Sequence, residues 1–351
     1  MSEPPPDVAV VGAGINGLAA SLALARAGRT VVALERFTIG HDRGSSHGSS
    51  RIFRLSYADP FYVRQAELAL AGWRALEEQS GEELIVRTGA LDLGRIALEN
   101  AEALATCGVE HERLTGADVS SRWPISADPD EPALYQPDGG FTRASRAVDV
   151  VLAAARAAGA EVRERTQVAR LRQHDGHVEL DTDAGALRTR VAIVAAGAWS
   201  RDLLAPLDIE LDVQPSRETI AYFDLPGAES LPTLIDDSGA VGDAAYGLAA
   251  PGVGLKSGHH RSGPVADPDQ PRSPEPTLVE AAARWVARRY PDAHPRPLSS
   301  ETCIYTNTRD EAFVCTRHGR IVVGSACSGH GFKFAPTTGA RLAQLAAEAL
   351  D

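Results

Sequence analysis

Cysteine is scarce in this chain: four in 351 residues, Cys107, Cys303, Cys315 and Cys327, with no CxxC pair among them. That spacing excludes the usual zinc knuckle and redox dithiol, and no metal site is indicated. The density is too low for a disulfide scaffold, so reduced thiols are expected. No apolar run reaches the roughly 20 residues that a membrane-spanning helix needs. The leading MSEPPP has no basic segment of the secretory type, so a cytoplasmic protein is expected. Basic charge is in deficit, 35 Lys and Arg against 47 Asp and Glu, a formal charge of −12. This balance argues against nucleic acid or an anionic membrane as the main partner. It still permits an anionic small substrate held in a local cationic pocket. A hydrophobic share of 44% with 23% charged residues excludes wholesale disorder. The length fits two domains, or one large α/β domain with an insertion, and the chain contains no internal repeat.

The strongest motif lies near the start. Asp7 to Val11 is a short apolar strand pattern that runs into Gly12-Ala13-Gly14-Ile15-Asn16-Gly17. Leu18 to Ala27 follows as an Ala/Leu-rich helix closed by Gly28, and Thr30 to Leu34 reads as a second strand ending at Glu35-Arg36. Together these form a complete βαβ dinucleotide fingerprint. The glycines allow a tight turn and close approach to a pyrophosphate, which the helix N-terminus would face. Glu35 stands where a carboxylate accepts hydrogen bonds from an adenosine ribose.

The fingerprint alone serves FAD or NAD. FAD is favoured because the motif lies at the N-terminal end of the chain and has no second copy. Gly252-Val253-Gly254 leads to Lys256-Ser257-Gly258-His259-His260 and opens no helix. The nucleotide sheet is also completed far downstream. Ser145 to Ala158 reads as a helix, Val162 to Arg165 as a strand, and Val168 to Leu171, Val178 to Leu180 and Leu187 to Thr189 as a small meander. Val191 to Trp199 then reads as a buried strand ending in a glycine turn. Elsewhere Tyr62 to Gln79 reads as a helix carrying Trp73. Strand-like and loop-like segments alternate over 80–140 and 210–300. Pro264 to Pro276 reads as a loop, and Thr277-Leu278-Val279-Glu280 as a capping box opening a helix to Tyr290. A last helix runs from Gly339 to Leu350.

Taken singly, Arg51 and Arg54 read as a solvated basic turn, Cys303 as an inert core thiol and Lys333 as a snorkelling surface side chain. Their contexts change this. GAGINGLAA (12–20), SSHGSSRIFR (45–54), AAGAWS (195–200), CIYTNTRDEAF (303–313) and GSACSGHGFKF (324–334), in that order, resemble the monomeric sarcosine oxidase family, which includes N-methyltryptophan and pipecolate oxidases. The likeness spans nearly the whole chain.

The resemblance implies an α/β (α+β) fold: a Rossmann-like FAD-binding domain assembled from 1–80, 140–210 and 305–351, and an antiparallel-sheet substrate domain from 81–139 and 211–304. It places Gly12, Gly14, Ile15, Gly17, Glu35 and Arg36 around the adenosine half of FAD. Val168, Ala196, Gly197 and Trp199 also belong to the cofactor site. Ser45, Ser46, His47 and Arg51 lie along the flavin, followed by Gly329, His330, Gly331, Phe332 and Lys333. Cys303 takes the position of a covalent thioether to the flavin ring. Arg54 and Lys333 match the cations that hold a substrate carboxylate. Lys256 matches the lysine that activates oxygen, and His260, Tyr246 and Tyr305 match pocket residues.

The implied reaction is oxidation of a secondary or N-methylated amino acid to an imine, with O2 as acceptor and hydrogen peroxide as product. A flavin dehydrogenase or biosynthetic tailoring oxidase for a larger amine or cyclic imino acid is the alternative. A non-catalytic flavin-binding protein is disfavoured by the joint presence of the carboxylate cations, the attachment cysteine and the oxygen-side lysine. An aromatic hydroxylase is disfavoured because no NAD(P)H route is visible. A monomer is expected. The chain departs from the family at Ser49-Ser50, at Cys327 (an aromatic position in better-known members), in compact loops over 225–275 and in a short C-terminus. Asp236-Asp237 reads as loop solvation, or as a device selecting a substrate with a distal cation.

Overall fold

A computed structural model describes residues 4–239, 244–325 and 328–351. The chain divides into two compact units, one made of 1–47, 145–215 and 304–351, the other of 48–144 and 216–303.

In the first unit, six strands are ordered Val314–His318, Ile321–Ser325, Val191–Val194, Val8–Val11, Val31–Leu34 and Glu161–Arg163. All neighbours are parallel except the outer pair Val314–His318 and Ile321–Ser325. The inner strands are buried on both faces, hence their unbroken Val, Ala, Ile and Leu runs. One face carries Ala9, Val11, Val32, Leu34, Ala192 and Val194, which pack with Val168, Leu171, Val178 and Leu180 of a three-stranded antiparallel meander (Val168–Gln173, Val178–Thr182, Gly185–Thr189). The helices Ile15–Arg26 and Ala335–Leu350 pack against each other so closely that a Cβ on Gly339 would lie 2.6 Å from Ala19.

In the second unit, eight strands are ordered Ser299–Asn307, Gln214–Phe223, Gly254–His259, Ala245–Ala250, Thr233–Asp237, Ala90–Gly94, Pro132–Gln136 and Glu112–Thr115. The described registers are antiparallel except between Thr233–Asp237 and Ala90–Gly94. A second sheet joins Ser50–Phe53, Gly140–Arg143 and Ile85–Val86. On one face of the large sheet Leu91, Leu93, Leu234, Leu255 and Phe223 form a core with Trp285, Val286 and Tyr290 from the helix Pro276–Arg289 and the residue after it.

The antiparallel second sheet system and parallel nucleotide-type sheet match the expected fold class. The division, however, falls after His47 rather than after residue 80. Residues 48–80 sit in the second unit because Ser50–Phe53 pairs with Gly140–Arg143 and the helix Pro60–Ser80 packs on Arg95–Cys107. Two helices, Arg95–Cys107 and Gly116–Arg122, replace part of the strand and loop alternation expected over 80–140. The first buries Ala97, Ala101 and Leu104 at helical spacing and stops at Gly108, whose φ of +73° suits glycine. The expected capping box at Thr277 does not form. Glu275 is the N-cap without a side-chain bond, and Pro276 takes the first helical position.

Candidate functional site

In the first unit the strand Val8–Val11 ends at Gly12, whose φ is +95°; a Cβ there would meet the Ala195 carbonyl oxygen at 2.6 Å. A Cβ on Gly17 would lie 1.9 Å from the Gly12 oxygen, so the turn closes only with glycine at both places. Gly14 caps the helix Ile15–Arg26, and the Ile15 N–H donates to Ser46 Oγ at 3.1 Å. Glu35 accepts from the Ala13 N–H at 2.9 Å and the Phe37 N–H at 3.0 Å, with His41 Nε2 at 3.4 Å. Burial alone would raise its carboxyl, but the bonds from His41, Phe37 and Ala13 outweigh burial and hold it below the usual range.

Beside it, the Arg36 guanidinium lies 5.1 Å from the Phe37 ring and 5.8 Å from the Trp199 ring. Ala196, Gly197 and Trp199 form the turn after Val191–Val194, with the Trp199 N–H bonded to the Ala196 oxygen. Ser45 Oγ donates to the Ile304 carbonyl, and His47 is buried. The Val168 side chain belongs to the apolar core beneath the sheet. Further along, Gly329 has a φ of +79°, and His330 Nε2 lies 3.0 Å from the Glu311 oxygen. Gly331 leads into the short helix Phe332–Phe334, and Lys333 Nζ donates to the His330 oxygen at 3.0 Å. Tyr305 is half-buried on Ser299–Asn307.

In the second unit, alternation along the strands decides which residues share a face. Lys256 is opposite Tyr222 on one side and Leu248 on the other; two residues along, Gly258 is opposite Tyr246, which is opposite Ile235, which is opposite Asp92. Lys256, Tyr222, Tyr246 and Asp92 therefore occupy the sheet face away from the Trp285 core. Lys256 is buried, and its Nζ donates to the Ser50 oxygen at 3.2 Å. A Cβ built on Gly48 would lie 3.0 Å from Arg51 Nη1 and 3.6 Å from Lys256 Nζ, so the two cations are near neighbours. Burial, and then the Arg51 charge, lower the Lys256 ammonium to about 7, with Glu301 and Cys303 acting the other way. Arg51 Nη2 reaches to 4.0 Å from the buried Cys303 thiol. Of the 35 basic residues only Lys256 and Lys333 are lysines, and both are buried.

Arg54 lies 3.4 Å from Asp92 and 4.6 Å over the Tyr57 ring, and Asp92 also accepts from Asn100 Nδ2 at 2.8 Å. Burial raises the Asp92 carboxyl, with Arg54 only partly opposing it. The half-buried His260 follows the strand Gly254–His259, its N–H bonded to the Ala244 oxygen at 2.7 Å.

A model of the family described as FAD dependent oxidoreductase matches residues 7–345. The chain belongs to that family. It is 34% identical to the peroxisomal sarcosine oxidase of Homo sapiens, over 97% of this chain and 91% of the relative. To a monomeric sarcosine oxidase of a Bacillus species it is 30% identical, over 97% and 92%. A solved structure of NikD, titled an unusual amino acid oxidase essential for nikkomycin biosynthesis, superposes with a TM-score of 0.87 at 26% identity, covering 98% of this chain and 94% of NikD. The chain is thus a sarcosine-oxidase-like, FAD-dependent oxidoreductase of the amine and amino-acid class.

The residues present fit FAD. The Gly12 turn is a cradle that any Cβ would fill, and the buried Asn16 Oδ1 beside it has no hydrogen-bond partner. Glu35 is engaged by the Ala13 and Phe37 N–H groups and by His41, which leaves its carboxylate a lone pair to offer a ribose hydroxyl.

Three residues escaped the sequence reading. Tyr222 donates to Glu301 Oε1 at 2.6 Å, and Lys256 Nζ lies 5.9 Å from the Tyr222 ring centroid. Glu301 shares a strand face with Cys303 and Tyr305, a period of two that was readable once the strand was recognised. Asp92 carried no motif; only its register with Ile235 and Tyr246 reveals it.

Asp236 corrects the sequence reading twice over. It is a buried strand residue, not loop solvation, and it faces the Trp285 core rather than Lys256. It accepts from Trp285 Nε1 and Arg289 Nε, both at 2.7 Å. Asp237 pairs with Arg95 at 2.9 Å. Cys327 lies outside the described residues, while Cys315 is a half-buried thiol that desolvation pushes up to about 11.

The meander also brings His174, His177 and Glu179 within 4.8 Å of one another by their ligand atoms. That carboxylate is already bonded to Arg172 at 2.8 Å, and the two imidazoles are stacked 4.6 Å apart. Among the described residues no helix is long and apolar enough to cross a membrane.

Proposed function

We propose that this enzyme oxidises a secondary or N-methylated amino acid to its imine and delivers the electrons to O2, forming hydrogen peroxide. The observation that carries the reading is the pairing of a buried Lys256 with Arg51 beside Cys303, on the sheet face opposite the apolar core. Two fixed cations in a dry site favour chemistry in which negative charge develops next to them, and electron transfer to oxygen is such chemistry. When bound, FAD supplies the two-electron acceptor for the amine C–H and the donor to oxygen.

Within this reading Arg54 holds the substrate carboxylate through its free guanidinium donors, while Asp92 and Tyr57 fix its orientation. The amine must be neutral to develop an imine, and its ordinary pKa is about 10. Tyr246 and His260 are the residues that this reading places around that proton. Cys303 is the thioether attachment point in this reading, with the Arg51 guanidinium 4.0 Å from its sulfur. Holoprotein that keeps its yellow colour after denaturation, and a Cys303→Ser variant that loses it, support the bond; colour released from the wild type on denaturation removes it.

A second reading is supported by the likeness to NikD: a tailoring oxidase for a larger cyclic imino acid or amine. Peroxide release with small N-methyl amino acids favours the first reading. Activity confined to bulky cyclic substrates favours the second.

A further inference from the structure

The oxygen-side role proposed for Lys256 raises the question of what keeps its ammonium charged, since burial opposes the charge. Groups face it from several strands: Arg51 from Ser50–Phe53, Tyr222 from Gln214–Phe223, Tyr246 from Ala245–Ala250, and Glu301 with Cys303 from Ser299–Asn307. Arg51 repels the charge, whereas Glu301 supports it. Tyr222 stands directly across from Lys256 in the ladder and donates its hydroxyl to Glu301 at 2.6 Å. Burial and the adjacent carboxylate both push the phenol up, so it remains a protonated donor. A carboxylate in direct contact would tie the ammonium into an ion pair. One held at a phenol's length favours the charge and leaves ammonium protons for an incoming reactant.

We propose that Glu301, oriented by the Tyr222 hydroxyl, is the positioning residue that keeps Lys256 protonated for its reaction with oxygen. The inference rests on the oxygen-side reading of Lys256, and the experiment separates the two. The holoenzyme is produced with lysine labelled with 13C at Cε; two lysines give two side-chain resonances. These are titrated through neutral pH in the wild type, Glu301→Gln, Glu301→Asp and Tyr222→Phe, and flavin reoxidation by O2 is followed over the same range.

The Lys256 midpoint falls by about one unit in Glu301→Gln, less in Tyr222→Phe, and stays near wild type in Glu301→Asp, while Lys333 hardly moves. Reoxidation then loses its rate about one pH unit earlier in Glu301→Gln. Should the Gln variant fail to fold, Tyr222→Phe reads the same coupling. A Lys256 midpoint unchanged in the folded variants overturns the inference, whatever reoxidation does. A shifted midpoint without a matching change in reoxidation keeps Glu301 in its role and removes Lys256 from the oxygen step.

Discussion

Asp236 and Lys256 lie on opposite faces of one eight-stranded sheet. Ile235, the neighbour of Asp236, is opposite Tyr246, and Tyr246 is opposite Gly258, two residues from Lys256. Asp236 is therefore turned to Arg289, which also binds Glu131 at 2.7 Å and is itself buried. Asp236→Asn leaves a buried guanidinium short of one charge partner, and the expected loss is about 3 kcal/mol of stability. Burial raises the Asp236 carboxyl, but Arg289 and Ser238 outweigh burial and lower it. Its contribution is therefore complete above the ordinary aspartate range and fades as pH falls through and below it. Denaturant melts at neutral and acid pH check both statements. The ratio of kcat/KM for basic and neutral substrates stays unchanged, because the residue faces away from Lys256.

Lys256→Met slows flavin reoxidation by O2 on the order of 100-fold, comparable to the loss of one preorganised electrostatic donor, and leaves reduction by substrate within a few-fold. Stopped-flow measurement of the two half-reactions decides this; equal effects on both contradict it. The same lysine shapes stability. Folded, it titrates at about 7; unfolded, near the ordinary value of about 10.4. Across that window the unfolded chain holds the extra proton, so stability rises with pH. The Met variant lacks this rise and is the more stable protein at neutral pH.

Arg54→Met lowers kcat/KM for a carboxylated amine by a factor of about 100, roughly 3 kcal/mol for a charge-assisted contact, and barely alters that for the same amine without its carboxylate. Arg54→Lys recovers little, since an ammonium cannot both pair with Asp92 and fork a carboxylate. Equal losses on both amines would show that Arg54 supports the fold rather than the substrate.

Much of this was readable from the order of residues, for local reasons. The Gly12–Gly17 turn, Glu35, the meander and the buried Val191 strand each have a pattern that one short segment carries complete. Arg51, Cys303 and Lys256 were singled out only by resemblance, because a basic turn, a lone thiol and a lysine in a strand have no signature of their own. Tyr222, Glu301 and Asp92 stayed hidden because their placement depends on cross-strand register, which no single segment encodes. Asp236 was misread for the same reason, since a one-residue change of register turns a side chain to the other face.

Gly17→Ala sets a Cβ 1.9 Å from the Gly12 oxygen, so the phosphate turn cannot close. The variant is expected to purify largely without flavin, with its second sheet intact. The ratio of 450 nm to 280 nm absorbance and a far-ultraviolet circular dichroism spectrum measure the two parts of this statement.

In the proposed reaction a bound flavin takes electrons from a carboxylated secondary amine. The most direct test mixes purified protein anaerobically with sarcosine, proline, pipecolate and N-methyltryptophan, beside primary amino acids and amines lacking a carboxylate, and follows the flavin band. The proposed reaction predicts bleaching by at least one carboxylated secondary amine, with colour and one equivalent of peroxide returning on admission of air. A yellow protein bleached only by primary amines or by none, or a protein with no flavin, would contradict it.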